Sequence, residues 1–235
     1  MQNGPDISRI AALIGDPARA AMLLALMGGQ ALTAGELAQL ASIMPSTASG
    51  HIRLMLEAGL ISTEKQGRHR YARLSGPEVA EALEALLGLA QSAGHTRLRP
   101  GPKDPALRRA RTCYDHLAGE LGVSVFQALQ AGGAFMPDPK GLGLSESGLA
   151  QMEGLGIEPG SFQETRRPVC RTCLDWSERK PHLAGAAGAA LLTRFKALGW
   201  MKPEPSSRAL RVSVSGERAL PRLLKAFHDG ARFQL

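Results

Sequence analysis

The 235-residue chain carries a net charge of +7, with 44% apolar and 21% charged residues. That balance suits a globular protein of one to three small domains, each able to bury a core. No run of 18 apolar residues is present, so no membrane span is expected, and Met1–Asp6 has neither the basic start nor the apolar stretch of a secretory signal. A cytoplasmic location is the resulting expectation, and three cysteines are too few and too odd for a disulfide framework. The charge is uneven. Residues 1–95 hold 7 Lys and Arg against 8 Asp and Glu, so the basic surplus lies in the remainder. Within the first part, Arg53, Lys65, Arg68, Arg70 and Arg73 nevertheless cluster against only Glu57 and Glu64.

Apolar spacing predicts a helix over Ile7 to Ile14. Asp16-Pro17 opens a second, with Asp16 as cap, Pro17 at its first position, and Met22, Leu23, Leu26 and Met27 on its apolar face. Thr33-Ala34-Gly35-Glu36 has the form of a capping box and starts a third helix, with Leu37 and Leu40 inward. After a turn near Ser42-Ile43, Pro45 starts a fourth helix that runs to about Ala58 and ends at Gly59. Leu60 to Lys65 and Arg68 to Leu74 read as strands joined by Gln66-Gly67. A fifth helix from about Pro77 to Gln91 shows a stripe of Val79, Leu83, Leu86 and Leu87. Residues 94–105 contain three prolines and two glycines and mark a linker between a domain at 1–93 and another at 106–235.

Beyond the linker an internal echo is visible. Arg111-Thr112-Cys113-Tyr114-Asp115-His116-Leu117-Ala118-Gly119 returns as Arg171-Thr172-Cys173-Leu174-Asp175, then His182-Leu183-Ala184-Gly185. Phe126-Gln127-Ala128-Leu129 resembles Phe195-Lys196-Ala197-Leu198, and Leu144 to Gly148 resembles Val212 to Gly216. The predicted order in each copy is helix, helix, hairpin, helix, with units at about 106–160 and 166–235. The second copy inserts Trp176 to Pro181. The expected fold class is therefore mainly α with small β-hairpins (α+β): an N-terminal winged helix-turn-helix followed by a duplicated, winged-helix-like C-terminal domain.

Thr33 to Ala58 has the length and punctuation of a helix-turn-helix. Its second helix begins with Ser46, Thr47, Ser49, Gly50, His51 and Arg53, short hydrogen-bonding groups and an arginine suited to base edges and phosphates. Ile52, Met55 and Leu56 on the other face read as core. Lys65, Arg68, His69 and Arg70 place positive charge on the hairpin tip. Ser49-Gly50-His51-Ile52-Arg53-Leu54 through Glu57-Ala58-Gly59-Leu60-Ile61, followed by Gly67-Arg68-His69-Arg70-Tyr71, resembles the ArsR family of bacterial repressors over about residues 7–91. Gly50 stands where that family carries Arg. The resemblance implies a homodimer joined through the first and fifth helices, binding palindromic double-stranded DNA. It also implies metal sensing, but neither usual ligand set is present: residues 37–40 lack Cys-x-Cys, and the fifth helix has no His.

Other ligands are available in the C-terminal domain. Cys170-Arg171-Thr172-Cys173 has the spacing with which two thiolates grip one zinc, and Cys113, His116 and His182 could complete the shell. The echo of Cys113 in Cys173 points instead to a shared packing role, and a thiol sensor is the third reading. Asp175, Trp176 and the aromatics Tyr114 and Trp200 are candidates for an effector pocket or for plain core. Asp115 and His116, read as neighbours on a helix, point apart and make a poor acid-base pair. No phosphate-cradling glycine loop, nucleophile elbow or zinc-protease motif occurs. The expectation is a DNA-binding repressor, not an enzyme, tuned through its C-terminal domain by a ligand, metal or thiol state. The alternatives are a winged-helix protein-interaction module and an enzyme with a helix-turn-helix appendage.

Overall fold

A computed structural model describes residues 5–66, 69–94, 104–139, 141–162, 167–205 and 207–235. The chain divides into two compact units, 1–85 and 86–235. The division falls inside a helix, short of the expected boundary at 93/94. Most of the expected linker lies outside the described residues.

In the N-terminal unit, α1 (Ile7–Ile14) is capped by Asp6, and α2 (Pro17–Leu26) by Asp16, whose Oδ1 accepts from the Ala18 and Arg19 amides. Met22, Leu23, Leu26 and Met27 are buried. Thr33 and Glu36 form the predicted reciprocal capping box of α3 (Ala34–Ala41). Ser42 adopts a left-handed conformation and turns the chain into α4 (Pro45–Glu57). β2 (Ile61–Gln66) and β3 (His69–Leu74) pair antiparallel from Ile61↔Leu74 to Gln66↔His69, so the residues between the strands are 67 and 68 rather than 66 and 67. A two-residue strand missed in the sequence, β1 (Leu32–Thr33), adds to the far side of β3. The sixteen-residue α5 (Pro77–Ser92) follows. Leu40 and Leu56, expected inward, are exposed, as is Leu86; Leu37, Met55 and Leu83 are buried. Apolar periodicity marks a face but does not say whether the same chain covers it.

The C-terminal unit departs from the predicted order. After the end of α5, its next described helix is the short α6 (Pro105–Arg109). Next come the hairpin β4 (Arg111–Cys113) and β5 (His116–Ala118), α7 (Glu120–Ala131), the hairpin β6 (Phe135–Asp138) and β7 (Gly141–Leu144), and α8 (Glu146–Gly154). The same order then recurs with β8 (Arg171–Asp175), β9 (Lys180–Ala184), α9 (Gly185–Ala197), β10 (Met201–Pro203), β11 (Leu210–Val212) and α10 (Val214–His228). The repeated Arg-Thr-Cys segments are thus strands, not helices, and each half runs hairpin, helix, hairpin, helix. The insertion in the second half lengthens its first hairpin by the pairs Leu174↔Pro181 and Asp175↔Lys180 and leaves Cys173↔His182 in register.

The halves interlock. Helix α7 packs on β9 and α9 on β5. Within each half glycine lets the helix pack close on the strand that precedes it: a Cβ at Gly122 or Gly188 would lie 2.4 Å from the carbonyl oxygen of Leu117 or Leu183. Arg111 bridges to Ala209, and Leu142 to Cys170, so each half pairs one strand edge with the other. The shared core includes Phe126, Leu129, Met152, Leu192, Phe195, Trp200, Leu223 and Phe227. Trp200 stacks on Phe195 with ring centroids 5.6 Å apart, which makes it core and not a pocket wall.

Candidate nucleic-acid interface and a Cys/His cluster

Helix α4 is amphipathic in chemistry as well as in burial. Ala48 and Met55 pack inward, while Ser46, Thr47, Ser49 and Arg53 are exposed. No side chain caps α4, so the amides of its first turn are available to an oxygen acceptor at the positive end of the helix dipole. The Ser49 hydroxyl donates to the Pro45 carbonyl at 2.9 Å and keeps its lone pairs outward. Arg53 is 75% exposed on its side chain, held only loosely by Glu57 at 4.0 Å.

His51 is placed differently. It is half-buried, and its Nδ1 lies 3.2 Å from Nη1 of Arg19, whose Nε also donates to the Leu13 carbonyl at 2.7 Å. This ring braces α4 against the preceding helices. On the hairpin, Lys65, His69 and Arg70 are exposed near the tip; Arg68 lies outside the described residues. Arg73 is engaged with Glu64 at 2.8 Å, which leaves Arg53, Lys65 and Arg70, among the described residues, to meet an outside partner.

A Cβ at Gly50 would meet nothing within 4 Å. Gly50→Arg is therefore expected to restore the family's side chain without a clash. It should raise helix stability by about 0.5–1 kcal/mol through propensity alone and tighten DNA binding. Thermal unfolding and a DNA titration of the variant check both.

The second cluster lies in the C-terminal unit. Cys113, His116, Cys173 and His182 are all buried, and one ligand atom from each falls within 4.8 Å of the others. Hairpin register builds the group: Cys113 faces His116 across the two-residue turn Tyr114-Asp115, and Cys173 faces His182. The imidazoles stack at 5.1 Å. The Cys113 thiol is held well below its ordinary range by hydrogen bonding from Cys173, and by His116, against the opposing cost of burial. Asp115 does not point away from His116, as helical placement suggested; its Oδ1 lies 3.3 Å from Nδ1 of that ring, and Arg167 pins the carboxylate at 2.5 Å.

Cys170 stands apart from this group. It precedes Arg171-Thr172-Cys173 as Ala110 precedes Arg111-Thr112-Cys113, and like Ala110 it fills core. Burial, with the charge of Asp138, pushes its thiol up to about 12. Asp175 and Trp176 serve a neighbouring structure that sequence reading missed. Nη2 of the buried Arg111 lies 2.8 Å from both Asp175 oxygens, its Nη1 donates to Ser177 Oγ and the Leu107 carbonyl at 3.0 Å, and its guanidinium sits 5.0 Å from the centre of the Trp176 ring. Asp175 also accepts from the Gly119 amide at 2.7 Å. Burial raises the Asp175 carboxyl, but the Arg111 charge and the bonds from Ser177, Gly119 and Glu178 outweigh it and hold the group below its usual range. An arginine on a three-residue strand gave no sign in the sequence of being buried.

A polar helix face beside a basic hairpin defines a winged helix-turn-helix. Residues 14–64 match the model of a helix-turn-helix domain family. The HTH-type transcriptional regulator YdfF of Bacillus subtilis (strain 168) is 43% identical over 220 residues, covering 94% of this chain and 97% of its own. The chain belongs to the HTH-type transcriptional regulators. Among solved structures, the homodimeric winged helix-turn-helix DNA-binding domain of Mb0332 from Mycobacterium bovis is 19% identical, with a TM-score of 0.35, over 41% of this chain and 97% of that one. An ArsR family transcriptional regulator is 32% identical with a TM-score of 0.31, over 41% of this chain and 99% of its own. Among the described residues, no helix is long and apolar enough to cross a membrane.

Proposed function

We propose that the protein is a homodimeric repressor that reads a palindromic operator with α4 and the β2–β3 hairpin, and that its C-terminal unit sets DNA affinity. One observation carries the reading: Ser46, Thr47, Ser49 and Arg53 stand exposed on the uncapped first turns of α4, in the unit that also presents Lys65 and Arg70 on a hairpin. Hydroxyls and arginine can read base edges in the major groove, while the wing and the free helix amides hold phosphates.

Dimerisation is supported by two apolar faces that stand exposed among the described residues. Helix α1 has an apolar stripe yet buries no residue fully, with Ile7 79% exposed, and α5 exposes Leu86 and Leu89, the latter at 63%. Leu86→Glu with Leu89→Glu is expected to convert the dimer to monomer in sedimentation and to weaken operator binding with it. An unchanged dimer removes α5 from the interface.

Selection from random duplexes tests the function. The enriched site is expected to be an inverted repeat with half-sites one helical turn apart, about 10–10.5 base pairs centre to centre, or a multiple of it. Absence of any enriched sequence would favour a protein-interaction module.

A further inference from the structure

We propose that Cys113, His116, Cys173 and His182 bind one zinc ion in a closed tetrahedral site that staples the two halves of the C-terminal unit together. The inference is independent of the DNA-binding reading. Each half supplies one thiolate and one imidazole, placed opposite each other by hairpin register: Cys113 with His116, and Cys173 with His182. The donor atoms already lie within 4.8 Å of one another. Tetrahedral zinc at its usual bond lengths separates such atoms by about 3.3–3.8 Å, so a contraction of about 1 Å closes the shell.

Three further observations favour a metal over plain packing. First, both ring nitrogens of His182 are buried, and neither has a hydrogen-bond partner outside the cluster's own Cys113 thiol. A buried polar atom left unsatisfied is destabilising, and coordination would occupy one of these. Second, His116 is oriented as metal-binding imidazoles are. Its Nδ1 meets Asp115, itself fixed by Arg167, which turns Nε2 to the cluster. Third, the charge balances: two thiolates cancel one divalent cation, while both imidazoles bind neutral, so the complex can sit in a buried place without a net charge.

Two sulfurs and two nitrogens form the donor set of a tetrahedral zinc site. With four protein ligands no coordination position is open, so the ion binds no substrate. Its binding energy becomes folding energy of the C-terminal unit. Gly188 fits the same picture, because a Cβ there would come within 3.3 Å of Cβ of His116 and press α9 on the cluster. Cys170 takes no part, despite its Cys-x-x-Cys spacing with Cys173.

Elemental analysis of the full-length chain, purified without a polyhistidine tag or chelator, is expected to find one zinc per chain. Cobalt(II) loaded into the apoprotein under reductant should give the intense visible bands of a tetrahedral site with thiolate charge transfer. Cys173→Ser and His182→Asn should each lower zinc below one equivalent, whereas Cys170→Ser should retain it. A wild-type chain with neither zinc nor a tetrahedral cobalt spectrum overturns the site, as does loss of metal in Cys170→Ser equal to that in Cys173→Ser. The cobalt spectrum of the wild type decides even if a variant fails to fold. A chain that holds zinc but reads no DNA refutes the repressor proposal alone, and one that reads DNA without metal refutes the zinc site alone.

Discussion

Replacing Arg53 and Arg68 together with alanine is expected to abolish operator binding while leaving the chain folded and dimeric. Affinity follows from the number of contacts. A bidentate arginine–guanine contact is worth about 1–3 kcal/mol, so the two copies of Arg53 in a dimer account for about 2–6 kcal/mol, or about thirtyfold or more in affinity. Arg68→Ala removes a further positive charge per protomer from the wing sequence. Folding should be little affected, because Arg53 is 75% exposed and its pair with Glu57 spans 4.0 Å, a surface contact worth less than about 1 kcal/mol. Titration of operator DNA, with circular dichroism and sedimentation as controls, checks both halves. Undiminished binding by a folded double variant would show that another surface reads the DNA.

Asp175→Asn is expected to produce the largest loss of stability in the C-terminal unit. The substitution keeps the shape of the side chain and strips the charge that compensates Arg111, a guanidinium only 1% exposed. Leaving a buried charge unpaired costs about 3–5 kcal/mol. Both tryptophans, Trp176 and Trp200, lie in this unit, so fluorescence follows its unfolding alone. With a urea dependence of about 1–3 kcal/mol per molar, the midpoint should fall by about 1 M or more. Arg111→Met combined with Asp175→Leu should recover only part of the loss, because the apolar pair needs no charge compensation but leaves the buried Gly119 amide without its acceptor. A midpoint unchanged by Asp175→Asn would mean that the charge is solvated after all.

The N-terminal unit was legible because its signals are local. Asp16-Pro17, the Thr33/Glu36 capping box, Pro45 and Gly59 each act within one turn of the backbone, and each appears where expected. What failed there was the fate of Leu40 and Leu56, since a stripe of leucines looks the same whether its own chain or a partner covers it. The C-terminal unit was legible as an echo but not as a shape. Its first hairpins have strands of three to five residues, and the turns use left-handed Tyr114 and Arg179, so no glycine announced them. Read as helices, the segments sent Asp115 and His116 apart; as hairpins they bring them together.

The same limit governs the cluster. Its four side chains were all among the sequence candidates, but Cys-x-x-Cys spacing added Cys170. Strand register, which spacing does not encode, puts Cys173 opposite His182 and leaves Cys170 against Leu142 in the core. Arg111 and Arg167 were missed because a single arginine carries no sign of the distant aspartate it meets.

The most direct test of the account is a titration of the DNA upstream of the protein's own gene at about 50 and 200 mM salt. Four basic residues of the α4 and wing sequence, Arg53, Lys65, Arg68 and Arg70, allow at most eight phosphate contacts in a dimer, since Arg73 is held by Glu64. The predicted result is sequence-selective binding whose logarithm falls with that of salt, with a slope no steeper than about −7. Failure to bind this DNA at the lower salt, or binding no tighter than to unrelated duplex, would contradict the assignment of α4 and its wing as a DNA reader.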